Sequence, residues 1–248
     1  MSGHWGKLLR VNLDDNKVST EELSDSFLRR HIGGAGITGK LLYDEVGADV
    51  EPLSPENKLI IAPGLLVGPK VPTASKTAFG FKSPLTGGYG KAIVGGRIGD
   101  QLKEAGYDAL IIEGKAKKAS VLVIQDDDVK VDNAEDMWGK DTHETVEMLK
   151  NRYGKVKTAV IGPASEKLSK ISMIECDERQ AGRGGPGAVM GSKNLKAVAV
   201  KGTKDYPIHD QDKLESEANH RPAAGPSANY RDCGSRKGRD EAQDGPLR

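Results

Sequence analysis

The chain has 248 residues, enough for one large domain or two small ones with a sizeable core. Hydrophobic residues are 36% and aromatics only 4%, so the core is aliphatic, and 37 Lys and Arg against 36 Asp and Glu leave a net charge of +1. That balance argues against nucleic acid as a partner, no apolar run approaches the ~18 residues of a membrane span, and two cysteines, Cys176 and Cys233, exclude a disulfide scaffold.

Met1 to Trp5 carries no apolar segment, so no signal peptide is expected and the expected location is the cytoplasm. Lys7 to Leu13 reads as a strand, Asp15-Asn16 as a turn and Lys17 to Glu22 as a returning strand. Ser24 is a good N-cap for a short helix over Asp25 to His31. Gly33 to Gly36 interrupts, and Ile37 to Val46 resumes a helical pattern. Leu59 to Ala62 is an apolar run of strand length, Thr77 to Phe81 a further strand and Ala92 to Val94 a short one. A helix follows over Asp100 to Ala105, ended by Gly106, and then a buried strand over Ala109 to Gly114. Ser120 to Ile124 and Val129 to Val131 form a hairpin around Asp126-Asp127-Asp128, three acids expected to be solvated. Thr142 to Tyr153 is an amphipathic helix; Lys157 to Val160, Ile171 to Ile174 and Ala197 to Val200 are strands, and Gly191-Ser192-Lys193 is a turn before the last. From about Glu217 to Arg248 the only large aliphatic residue is Leu247, and such a stretch cannot offset its ordering entropy, so it is expected to be disordered.

The ordered part repeats itself. Ile61-Ala62-Pro63-Gly64 resembles Ile161-Gly162-Pro163-Ala164, and Gly95-Gly96-Arg97-Ile98-Gly99 resembles Gly184-Gly185-Pro186-Gly187. Each second element leads through a helix-sized stretch into strand plus glycine. This self-similarity predicts an α+β fold: an internally duplicated pair of mixed β-sheet lobes with a few helices about a pseudo-twofold axis.

There are 31 glycines, about one residue in eight against a typical ~7%. The two repeated clusters are the informative ones. Glycine lets backbone lie against a flat ring or a phosphate, and free amides opening a helix attract anions. The segment Arg179-Gln180-Ala181-Gly182-Arg183 adds two planar guanidinium forks suited to phosphate. No Walker A pattern and no dinucleotide fingerprint is present. The five histidines are scattered, and Cys176 stands among Glu175, Asp177 and Glu178, which disfavour a thiolate. No side-chain cluster with metal-ligand spacing is evident.

Trp5-Gly6-Lys7-Leu8-Leu9-Arg10-Val11-Asn12-Leu13, Pro52 to Ile60, Lys82-Ser83-Pro84-Leu85-Thr86-Gly87, Ala105 to Ala109, Glu113 to Ala116, Trp138-Gly139-Lys140 and Ala181 to Ala197 carry a resemblance over about residues 3 to 204. Together they resemble the N-terminal domain of the tungsten-dependent aldehyde:ferredoxin oxidoreductases. The resemblance implies oxidation of small aldehydes to carboxylic acids, with electrons passed through a [4Fe-4S] cluster to ferredoxin or another electron-transfer subunit. It implies a tungstopterin, a bis-pterin whose tungsten or molybdenum is held by dithiolene sulfurs rather than by protein. Carried over by position, the cofactor-binding residues are Lys76, Ile93, Gly95, Arg179, Gln180, Gly182 and Arg183. The family often has Arg and Asn where Lys76 and Ile93 stand here, so backbone contact is the expectation at Ile93 and Gly95.

The domain reading is therefore residues 1–204 as a tungstopterin-binding domain, and 205–248 as a truncated linker and disordered tail. Family members continue for several hundred residues with the cluster cysteines, and Cys233 alone cannot hold a cluster that takes four thiolates. This chain alone is accordingly expected to be inactive toward aldehydes. The alternative reading is a non-catalytic binding module or an inactive fragment. Homo-oligomers are compatible with either.

Overall fold

The computed structural model describes residues 3–69 and 71–219. The first lobe runs β1 (Lys7–Asn12), β2 (Lys17–Glu22), α1 (Asp25–His31), α2 (Ala35–Glu45), β3 (Leu59–Pro63), β4 (Thr77–Lys82), β5 (Tyr89–Val94), α3 (Ile98–Glu104) and β6 (Ala109–Glu113). The second runs β7 (Ser120–Gln125), β8 (Asp128–Asn133), a 3-10 turn at Glu135–Met137, α4 (Thr142–Tyr153), β9 (Lys157–Val160), α5 (Pro163–Glu166), β10 (Ile174–Cys176), β11 (Arg179–Ala181), α6 (Pro186–Ser192) and β12 (Leu195–Lys201).

The expected duplication is present. Among the described residues one six-stranded sheet has the order β2-β1-β6-β3-β4-β5, and the other reads β8-β7-β12-β9-β10-β11. Strand for strand this is the same order. The sense is also the same: β1 with β6 and β7 with β12 are parallel, and every other neighbouring pair is antiparallel. The fold is α+β with two mixed sheets.

Alternation along the strands builds three apolar layers. Leu9, Val11, Leu59, Ile61, Leu110 and Ile112 of the first sheet share one cluster with Leu122, Ile124, Ala159, Val198 and Val200 of the second. The opposite face of the first sheet, through Leu8, Ile60, Ala62, Ala109 and Ile111, packs on Leu28 of α1 and Ile37, Leu41 and Leu42 of α2. The outer face of the second, through Val121, Val123, Val160, Ala197 and Ala199, packs on Leu149 of α4. β3 is covered on both faces, which is why it reads as a continuous apolar run. Helices α3 and α6 wedge into the central layer, α3 against β3 of its own lobe and β9 and β12 of the other, α6 against β12 and against β3 and β4.

Local signals act as expected at several ends. Ser24 Oγ accepts from the Phe27 amide and starts α1. Gly106, with φ of 100, follows α3, and Gly114, with φ of 71, follows β6. Elsewhere the structure corrects the reading. The strand expected over Ile171–Ile174 is instead Ile174–Cys176. Its first part is spent on a turn: the Ser172 amide donates to Ser169 O and Ser172 O accepts from the Gly187 amide, leaving Ile171 exposed. Gly191 and Ser192 belong to α6, and the turn before β12 is displaced to Lys193 and Asn194, the latter with φ of 55.

Residues up to His209 form one compact unit, and those from Asp210 a second. The described part of the second is α7 (Gln211–Asn219), whose Lys213 amide donates to Asp210 Oδ1. The first three residues of the stretch expected to be disordered, Glu217 to Asn219, therefore end a helix. The remainder of that stretch, with Cys233, lies outside the described residues.

Candidate functional site

β5 and β11 are the last strands of their sheets, and they lie against each other. This seam brings distant parts of the sequence together. Lys76 immediately precedes β4, Gly95 immediately follows β5, and Arg179 opens β11. A Cβ built on Gly95 would stand 3.6 Å from Arg179 Cδ and 3.9 Å from Lys76 Nζ. Glycine thus presents bare backbone as a cradle between two cations that come from opposite lobes.

Among the described residues, the side chains of Lys76, Arg179 and Arg183 make no ion pair or hydrogen bond, and all three are exposed. The neighbouring Arg97 differs: its Nε lies 3.3 Å from Asp100 Oδ2. Burial raises the Asp100 carboxyl above the usual carboxylate range, and Arg97 offsets part of that rise. The cations at the cradle are therefore free to meet an external anion.

The other expected residues are placed less closely. Ile93 lies on the outward face of β5 beside Tyr89 and Lys91, and is 48% exposed. Gln180 is exposed on β11, opposite Glu175. Gly182 follows β11, and a Cβ there would meet the Met173 side chain, Sδ at 2.9 Å. Its φ lies outside the left-handed region, so the need for glycine there is space and not conformation; positive φ falls at Gly184 and Gly185, at 81 and 79.

Two residues were not marked as site residues by the sequence. Asp177 Oδ2 accepts from the Arg97 amide at 2.7 Å, and Ser83 Oγ donates to Gly184 O at 2.7 Å. Asp177 stands in a two-residue hairpin turn, but Asp-Glu lacks the Asn-Gly signal of such turns. Ser83 had none.

The remaining candidates have structural roles. Cys176 is wholly buried, and burial, then Asp177 and Glu175, push its thiol far above the ordinary range. His143 lies exposed on α4. The hairpin acids are not merely solvated: Asp126 accepts from the Thr203 amide and hydroxyl, and Asp127 pairs with Lys204 at 2.8 Å, tying down the exit from β12. Among the described residues no group of three His, Cys, Asp or Glu is placed to hold a metal ion, and no helix is long and apolar enough to cross a membrane.

The fold and the cradle define an internally duplicated α+β domain with a glycine-lined cationic seam between its lobes. The family model described as aldehyde ferredoxin oxidoreductase, N-terminal domain, matches residues 8–202, and the chain belongs to that family. It is 47% identical over 217 residues to a tungsten-containing aldehyde ferredoxin oxidoreductase of Pyrococcus furiosus, covering 86% of this chain and 36% of that protein. An aliphatic sulfonate oxidoreductase, WOR-like subunit, of the same organism is 37% identical, covering 87% of this chain and 37% of its own length. Among solved structures, the active site complex BamBC of benzoyl coenzyme A reductase, in complex with 1,5-dienoyl-CoA, superposes with a TM-score of 0.86 at 35% identity, covering 88% of this chain and 34% of that one. The chain thus spans about a third of the length of the relatives it matches.

Proposed function

We propose that residues 1–204 form the tungstopterin-binding base of an aldehyde:ferredoxin oxidoreductase, with Lys76, Gly95 and Arg179 at the centre of the cofactor site. The observation that carries this reading is the cradle itself. Two unpaired cations from different lobes converge on a glycine that presents bare backbone between them. That donor set suits the phosphate groups of a pterin cofactor, and the glycine backbone suits close approach of a flat ring.

Arg179 and Arg183 offer bidentate forks, whereas Lys76 offers a compact point charge. Ile93 supplies an apolar outer face with no polar side-chain group, so recognition on β5 falls to backbone and to the cations around it. The Met173 side chain packs directly against the Gly182 backbone. When bound, the group supplies a redox-active metal able to take two electrons from an aldehyde carbon. The substrate is then a small aldehyde, the acceptor ferredoxin or another electron-transfer subunit reached through a [4Fe-4S] cluster that this chain does not ligate, and the location the cytoplasm.

Gly95→Val is a useful test because a Cβ at that position meets nothing closer than 3.6 Å and φ is ordinary, so neither the backbone nor the first side-chain atom is strained. Titration with a fluorescent pterin monophosphate should show binding by the 248-residue chain, weakened roughly tenfold by Gly95→Val. Arg183→Lys, which keeps charge but loses the fork, should weaken it by a smaller factor. Melting temperatures should stay near wild type. Equal affinity in wild type and Gly95→Val would remove the cradle from the cofactor site.

A further inference from the structure

We propose that Asp177 is a positioning residue for the candidate cofactor site, holding the first glycine segment from the opposite lobe. The proposal rests on the cofactor reading above. Asp177 and Glu178 form the two-residue turn between β10 and β11, with φ of 48 and 64. Asn-Gly adopts such a turn readily; Asp-Glu does so at a cost in backbone strain.

What the strained turn secures lies outside its own hairpin. Asp177 Oδ2 accepts from the amide of Arg97, the residue between Gly95-Gly96 and α3. Gly96 has φ of 99, and a Cβ there would stand 2.9 Å from Cys176 O and 3.4 Å from Asp177 Oδ2. The hairpin therefore rests directly on the glycine backbone. Two residues beyond Asp177, the Arg179 side chain passes Gly95. One carboxylate thus sets the backbone of the first cofactor segment and, through its hairpin, the guanidinium of the second.

The duplication makes the same arrangement twice. β4 and β5 correspond to β10 and β11, and the turn between β4 and β5 begins at Ser83. Ser83 Oγ donates to Gly184 O, and a Cβ on Gly184 would stand 3.2 Å from Ser83 Oγ. Each lobe's hairpin pins the glycine run of the other. The chemistry differs, carboxylate to amide on one side and hydroxyl to carbonyl on the other, and the charge-assisted bond is the stronger.

The decisive variant is Asp177→Gly. It removes the carboxylate while relieving the positive φ, so the turn itself is not strained by the change, and weaker binding without a lower melting temperature separates positioning from a merely structural role. Asp177→Asn keeps an acceptor oxygen and tolerates the turn. The probe is a fluorescent pterin monophosphate titrated into the 248-residue chain, with melting temperature and exchange of the Arg97 amide measured alongside. Asp177→Asn should bind within about twofold of wild type, and Asp177→Gly roughly tenfold more weakly, with an unchanged or higher melting temperature and faster exchange at Arg97. Ser83→Ala should weaken binding by roughly threefold. If Asp177→Gly binds as wild type does, or melts far lower, the positioning role falls and the cofactor reading stands. If wild type shows no saturable binding, the cofactor reading falls and takes the positioning role with it.

Discussion

Lys193 sits fully buried at the end of α6, and its ammonium donates to the carbonyls of Pro55, Asn57 and Gly114, joining loops of the first lobe to the helix of the second. Burial lowers its pKa from 10.5 to about 8, against the pull of Asp14, Glu113 and Glu56. The folded chain then releases this proton more readily than the unfolded chain, so between pH 8 and 10.5 the unfolded state binds more protons and stability rises with pH. Relative to Lys193→Met, wild type should gain roughly 2–3 kcal/mol between pH 8 and 10, read by urea unfolding at each pH. A constant difference between the two proteins would mean that the three carbonyls hold the ammonium charged. Cys176 permits a simpler check. Its thiol is buried and pushed well above the ordinary range, so it should resist a thiol reagent at pH 8 until the protein is unfolded. Rapid labelling of native Cys176 would contradict the packing described.

Helices α3 and α6 carry a glycine at their second position for the same reason in both lobes. A Cβ on Gly99 would stand 2.0 Å from Thr77 Oγ1 and 3.3 Å from Pro63 Cβ; one on Gly187 would stand 2.4 Å from Ser165 Oγ and 2.6 Å from Met173 O. Helix propensity favours alanine over glycine by about 1 kcal/mol, but overpacking costs about 1–3 kcal/mol and wins here. Both Gly99→Ala and Gly187→Ala should therefore lower the melting temperature, Gly187→Ala more, because backbone cannot swing aside as a threonine hydroxyl can. Stabilisation by either would show that these helices sit farther from the strands. The ends of most elements were legible because caps and apolar periodicity act locally. β11 was not, since its Asp-Glu turn gives no hairpin signal and its three residues, Arg179 to Ala181, are too few for an alternating pattern. Ile171 misled for the opposite reason: it is aliphatic, yet 72% exposed beside a turn.

The two lobes share one central core, with α3 and α6 each packed on the other lobe's sheet. Neither lobe alone can bury Leu9, Leu110, Leu122 and Val198. Thermal unfolding of residues 3–209 should accordingly be a single transition whose calorimetric and van't Hoff enthalpies agree. Two resolved transitions would mean that the lobes are separate folding units.

The linear sequence by itself determined the α+β class, the duplication and the glycine-plus-arginine segments, because strand patterns, caps and repeats are written within a few tens of residues. It also carried the family resemblance that marked Lys76, Gly95 and Arg179. Only the tertiary structure decided that these three meet at one seam, that Met173 packs on Gly182, and that Asp177 and Ser83 reach across to the opposite glycine runs. Arg179 with Gly95, Asp177 with Arg97 and Ser83 with Gly184 join residues some 80 to 100 positions apart, and these contacts exist only once two lobes pack edge against edge around a common core.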